Sequence, residues 1–158
     1  MANNFLLPNK YKLIGWCLLI PATILGIVLS FTDFEAFPLK AKVFALVNEE
    51  FLGESQSLSF IETNITNTLV ALLFIVGSVF VGFSKEKIED EFIARLRLSS
   101  LVWAVWVNYI LLFASFVFIY GTAFLTVMMY NMFTVMIIFI VRFNYLLFKS
   151  LSLASNEK

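Results

Sequence analysis

LSSLVWAVWVNYILLFASFVFIYGTAFLTVMMYNMFTVMIIFIV, residues 98–141, is a run of 44 residues without one charged side chain. It is bracketed by Arg97 and Arg142. A helix crosses the ~30 Å hydrocarbon layer of a bilayer with about 20 apolar residues. The run therefore holds two spans of 22, and its midpoint falls beside Tyr120 and Gly121. Gly121 is the only glycine or proline from Lys85 to the end of the sequence. A tight turn between antiparallel helices needs a residue without a Cβ at that point.

Two shorter uncharged runs precede it, 20 residues between Lys12 and Asp33 and 22 between Glu62 and Lys85. Each fits one crossing. The spacing predicts four transmembrane helices at about 12–32, 63–83, 98–120 and 122–146. Helices rather than barrel strands follow from the length of the runs and the lack of strict alternation. The predicted fold class is all-α: an integral membrane four-helix bundle in one transmembrane domain, 1–158, with a tight hairpin between the third and fourth helices. The first run is too long for the apolar core of a signal peptide and has no small-x-small site after it, so it reads as a retained anchor.

Composition agrees. Of 158 residues, 61% are apolar and 14% charged, against roughly half and a quarter in soluble domains. One cysteine, Cys17, excludes an internal disulfide framework. Eleven basic and eleven acidic side chains leave no net charge for a nucleic-acid partner. There is no histidine, which removes the commonest general base and metal ligand.

Basic residues set the orientation. Lys10, Lys12, Lys85, Lys87, Arg95, Arg97, Arg142, Lys149 and Lys158 fall on one side of an even number of helices. Only Lys40 and Lys42, among six acids, lie in the 33–62 loop. The positive-inside rule puts both termini in the cytoplasm and that loop outside. Trp16, Trp103 and Trp106 fall toward the cytoplasmic half. In the outer loop, Val43, Phe44, Leu46, Val47, Phe51 and Leu52 fit one broad helix face, and Gly53 is a stop. The expectation there is a short amphipathic helix on the membrane surface.

Residues 85–120 lack glycine and proline, so one helix of roughly 54 Å is expected, capped by Ser84 and projecting as a cytoplasmic extension over 84–97. Ile88, Phe92 and Leu96 make its apolar stripe, and Glu91 and Arg95 stand in the favourable i,i+4 order. The stripe packs on the chain's own helices and lipid headgroups, or docks on a partner or second copy. Glu91, Arg95, Arg97 and Arg142 are the candidate contacts for a cytoplasmic partner. Arg142 lies about 31 Å along its helix from Gly121, level with Ser100, and snorkels or pairs with an acid.

No charge sits at the centre of a span. The intramembrane polar candidates are Asn108, Tyr130 and Asn131. The two asparagines differ by about 5 Å in depth, close enough to meet across the hairpin or a dimer interface. Small residues repeat at Ala22, Gly26 and Ser30 and at Ser78 and Gly82, a pattern suited to helix contact. Pro21 is expected to loosen the first helix. Glu86, Glu89 and Asp90 read as a solvated helix face rather than a metal site, and Cys17 as a packed thiol. No base, nucleophile or cofactor motif comes together in the sequence, so no enzyme, cofactor or metal is expected.

The stretch Ser84 to Ala104 (SKEKIEDEFIARLRLSSLVWA), with Asn108-Tyr109, resembles small uncharacterised four-helix inner-membrane proteins of bacteria. The Asp90-Glu91 pair opening a helix that runs into the third span carries the resemblance, which covers mainly residues 60–148. Some such proteins look like companions of transcriptional regulators or sensors, and the resemblance implies a regulatory role. The expectation is a non-enzymatic accessory subunit acting by helix packing and its cytoplasmic helix. The alternative is a small oligomeric transporter or channel with a polar seam at Asn108, Tyr130 and Asn131. Partners are the lipid bilayer and either a second copy or a cytoplasmic or membrane protein.

Overall fold

A computed structural model describes residues 6–32, 39–48 and 56–156. Along the chain run α1 (Lys10–Phe31), β1 (Lys40–Asn48), β2 (Gln56–Asn64), α2 (Thr66–Gly82), α3 (Glu91–Phe118) and α4 (Thr122–Asn156). Three of these helices, α1, α3 and α4, are long and apolar enough to cross a membrane. With 17 residues, α2 is about 26 Å long. It is shorter than the 63–83 run because Thr63 and Asn64 belong to β2. Contacts divide the chain into two compact units, Met1–Leu19 with Ile75–Lys158, and Ile20–Phe74.

In the second unit the expected amphipathic helix is a β-hairpin, which corrects the all-α class. β1 pairs antiparallel with β2, Val43 opposite Ile61 and Phe44 opposite Phe60. The Phe44 and Phe60 rings meet edge-on at 5.4 Å, and Lys42 lies across from Glu62. Aromatic, β-branched and opposite-charge pairs across strands favour this state over a helix. A reading of residues 40–53 alone misses it, because the pairing partner is the Leu58, Phe60 alternation downstream. Phe51, Leu52 and Gly53 lie outside the described residues. Below the hairpin, Asn64 Oδ1 accepts from the Thr66 N–H at 3.1 Å, and the Thr66 hydroxyl accepts from the Leu39 N–H at 3.2 Å. The first bond satisfies a donor at the start of α2, and the second ties the residue before β1 to that helix end.

In the first unit α3 and α4 form an antiparallel hairpin. Gly121 turns it with φ +72°. The Ile119 N–H donates to Ser115 O at 2.9 Å, and the Phe116 and Phe124 rings meet across the turn at 4.8 Å. α4 continues ten residues past the expected 146, because no glycine or proline stops it. The α1 and α2 segments of this unit touch backbone to backbone. A Cβ on Gly77 would lie 2.8 Å from Leu19 N, and one on Gly15 would lie 2.8 Å from Val81 N. The small-residue pattern singled out other positions, and of these Gly82 faces the Phe139 ring.

The buried positions of α3 are Ile93, Arg97, Ser100, Ala104 and Asn108. They recur every three or four residues, so they share one face, and three of the five are polar. The outward face carries Leu98, Trp106, Ile110 and Phe113, all exposed. Polar groups turned inward and apolar ones outward is the arrangement a lipid solvent demands.

Candidate functional site

The start of α3 differs from the expected continuous helix. Asp90, in extended conformation, is its N-cap, and its carboxylate accepts from the Ile93 N–H at 2.8 Å. Aspartate is a strong cap, and Asp90 and Glu91 complement the positive helix end. Ser84 caps nothing, since its hydroxyl is buried without a hydrogen-bond partner. Residues 83–85 instead run alongside Leu7, which donates to Phe83 O at 3.0 Å and accepts from the Lys85 N–H at 2.8 Å. Asn9 Nδ2 adds a bond to Lys85 O at 2.7 Å. A helix beginning at residue 85 would draw Lys85 O into its own ladder and away from Asn9.

The non-helical segment lets two acids turn inward. Glu86 forms a half-buried ion pair with Lys12. Glu89 receives a two-pronged guanidinium contact from Arg97, Nη1 to Oε1 at 2.7 Å and Nη2 to Oε2 at 3.0 Å. Arg97 Nη2 also donates to Ser84 O at 3.2 Å, and the guanidinium lies over the Phe143 ring at 5.1 Å. Fork-to-fork geometry makes this pair strong as well as directional. Burial pushes the Glu89 carboxyl up. Hydrogen bonds from Arg97 and the Glu86 N–H, with the charges of Arg97 and Lys85, outweigh that and hold it below its ordinary value.

Arg97 is thus 6% exposed and is engaged within the fold. It was expected among the partner contacts, and the structure instead places its guanidinium inside, on Glu89 and Ser84. Glu86, Glu89 and Asp90 do not make a solvated helix face, because none of them is in a helix. No group of acids and cysteines suited to a metal occurs among the described residues. The missed partner of Arg97 is eight residues back, beyond a helix start that the sequence reading placed too early. An Asp one residue before an acidic first turn was the signal for the true cap.

The other candidates fall elsewhere. Glu91 and Arg95 form an exposed pair at 3.4 Å. Asn108 and Asn131 donate to each other reciprocally, both bonds at 3.2 Å. This closes the amides on themselves and ties α3 to α4. Tyr130 is exposed on α4. Arg142 stacks over the Trp103 ring at 4.2 Å. Cys17 is an exposed thiol rather than a packed one. Ile88 and Phe92 of the expected packing stripe are 75% and 56% exposed.

No family model, curated protein or solved structure matches this chain. The arrangement itself is a clamp. Its inward charges are matched in pairs, and its outward face sets apolar side chains beside the exposed Glu91–Arg95 pair.

Proposed function

We propose that the chain is a non-enzymatic protein of the bacterial inner membrane that serves as a regulatory or accessory subunit. Its helices pack as one bundle in the bilayer, with both ends and the 84–97 segment in the cytoplasm. Nine basic residues on that side support the orientation. The observation that carries the reading is the exposure of Ile88 and Phe92 beside Lys87, Glu91 and Arg95. Two large apolar side chains at the mouth of α3, framed by both signs of charge, have the composition of a small docking surface. The Arg97–Glu89 clamp beneath holds that surface in a fixed shape, which lowers the ordering cost of binding.

A photo-crosslinking side chain at position 88 or 92 in growing cells tests this. Discrete protein adducts that Glu91→Lys weakens are the expected result. Adducts to lipid alone would refute it. Fusions of a reporter active only in the cytoplasm, joined at each end, test the orientation, and both should be active. The reciprocal Asn108–Asn131 bonds give the transporter reading no support, because they leave that seam satisfied within the chain.

A further inference from the structure

Seven side chains around α3 and α4 line a shallow, open groove of about 440 Å³: Arg95, Leu98, Ser99, Val102, Trp103, Trp106 and Arg142. Six of them fall at steps of three and one along α3, so they form a continuous stripe on one helix face. The stripe changes character along its length, from a cation and a hydroxyl to apolar and indole groups. Arg142 closes the groove from α4. From the groove we infer that it binds the headgroup of an anionic phospholipid, with the phosphodiester on Arg142 and Arg95 and an acyl chain along Leu98, Val102 and Trp106.

Three observations lead there. First, Arg142 has a charge that the fold does not match. Its Nε is buried without a hydrogen-bond partner, and among the described residues no carboxylate pairs with it. Its recorded contact is the Trp103 ring, which orients the guanidinium without neutralising it. Arg97, in the same unit, also has an unpartnered Nε, but its charge is answered by the Glu89 carboxylate and Ser84 O. Second, Arg95 is available. Its contact with Glu91 is long at 3.4 Å and largely in solvent, and such pairs contribute little. Third, the depth is right. Arg142 stands 21 residues past the Gly121 turn, about 31 Å along the helix, which is the thickness of the hydrocarbon layer. Its guanidinium is then level with phosphates, Trp103 borders the interfacial zone that indoles favour, and Trp106 lies about one and a half turns deeper than the phosphates, beside the acyl chain.

The site requires that α3 and α4 span the bilayer, and it does not depend on the protein partner proposed above. The shared chemistry is a phosphate oxyanion, so free phosphate is the competing source. The test uses the full chain in nanodiscs of phosphatidylcholine containing a graded fraction of brominated phosphatidylglycerol. Bromine quenches the groove tryptophans on contact, and Trp16→Phe removes the third indole. Brominated phosphatidylglycerol should reach half-maximal quenching at a mole fraction several-fold lower than brominated phosphatidylcholine. Arg142→Gln should raise that fraction roughly five-fold, the factor for one basic residue at the membrane surface. Arg95→Gln, at an exposed position, should raise it by a similar or smaller factor and keeps the test open if Arg142→Gln fails to fold. Equal quenching by the two lipids, or indifference to both substitutions, would overturn the site. Millimolar inorganic phosphate that abolishes the difference between the lipids at constant ionic strength would assign the groove to small anions and overturn it as well.

Discussion

Replacing Glu89 by alanine removes both prongs of the contact on Arg97 and leaves the guanidinium inside. Arg97 would keep Ser84 O at 3.2 Å and the Phe143 face, while its Nε already lacks a partner. Removing one member of a buried ion pair costs about 3–5 kcal/mol, because the remaining charge is uncompensated. Glu89 retains 21% side-chain exposure, so water reaches the site and the lower end applies, about 3 kcal/mol. That is roughly a hundredfold in the unfolding equilibrium. The assay is unfolding of the purified protein in mixed micelles by increasing sodium dodecyl sulfate, followed by far-ultraviolet circular dichroism. Adding Arg97→Met to Glu89→Ala should recover much of the loss, since it removes the orphaned charge. Glu91→Ala, in the exposed pair at the start of α3, should cost less than about 1 kcal/mol. If Glu89→Ala stays within about 0.5 kcal/mol of the parent, the range of an unremarkable surface change, the clamp is not holding this end. The pH dependence has a definite sign. The Glu89 carboxyl is held below its ordinary value in the fold, so its stabilisation is complete above the unfolded value and is lost as pH falls through the folded one. Glu89→Ala should flatten that acid limb.

Four further outcomes are measured by the same unfolding assay. Gly77→Ala should destabilise by about 1–3 kcal/mol, because its Cβ would meet the Leu19 backbone. Gly26→Ala, whose Cβ has an ordinary 3.7 Å contact with Val70, should be neutral or stabilise by up to about 1 kcal/mol through helix propensity. Asn108→Leu leaves Asn131 without its amide partner and should cost about 1 kcal/mol. Adding Asn131→Leu should restore much of it, and an additive loss would refute the reciprocal pair. Gly121→Ala should cost about 1–2 kcal/mol for a left-handed φ, and Gly121→Asn less. No added contact is involved, since nothing lies within 4 Å of that Cβ.

The features legible in the sequence were those set within a few turns of chain. An uncharged run long enough to cross lipid announces a helix, because burying a charge there is expensive wherever the helix goes. Gly121 announces the turn between α3 and α4 because its missing Cβ is a local property. A fixed rise per residue places Asn108 and Asn131 at similar depth before any contact is known. The tertiary structure decided what depends on residues distant in the chain. Whether residues 40–48 become strand or helix was settled by the complementary strand at 56–64. Where α3 begins was settled by Asp90 together with Leu7, whose bonds hold the preceding segment extended. That start in turn left Glu89 where Arg97 turns inward to meet it, while Arg142 on α4 lies over an indole. Charge identity is written in the sequence, but whether a charge is answered depends on what the folded chain brings beside it.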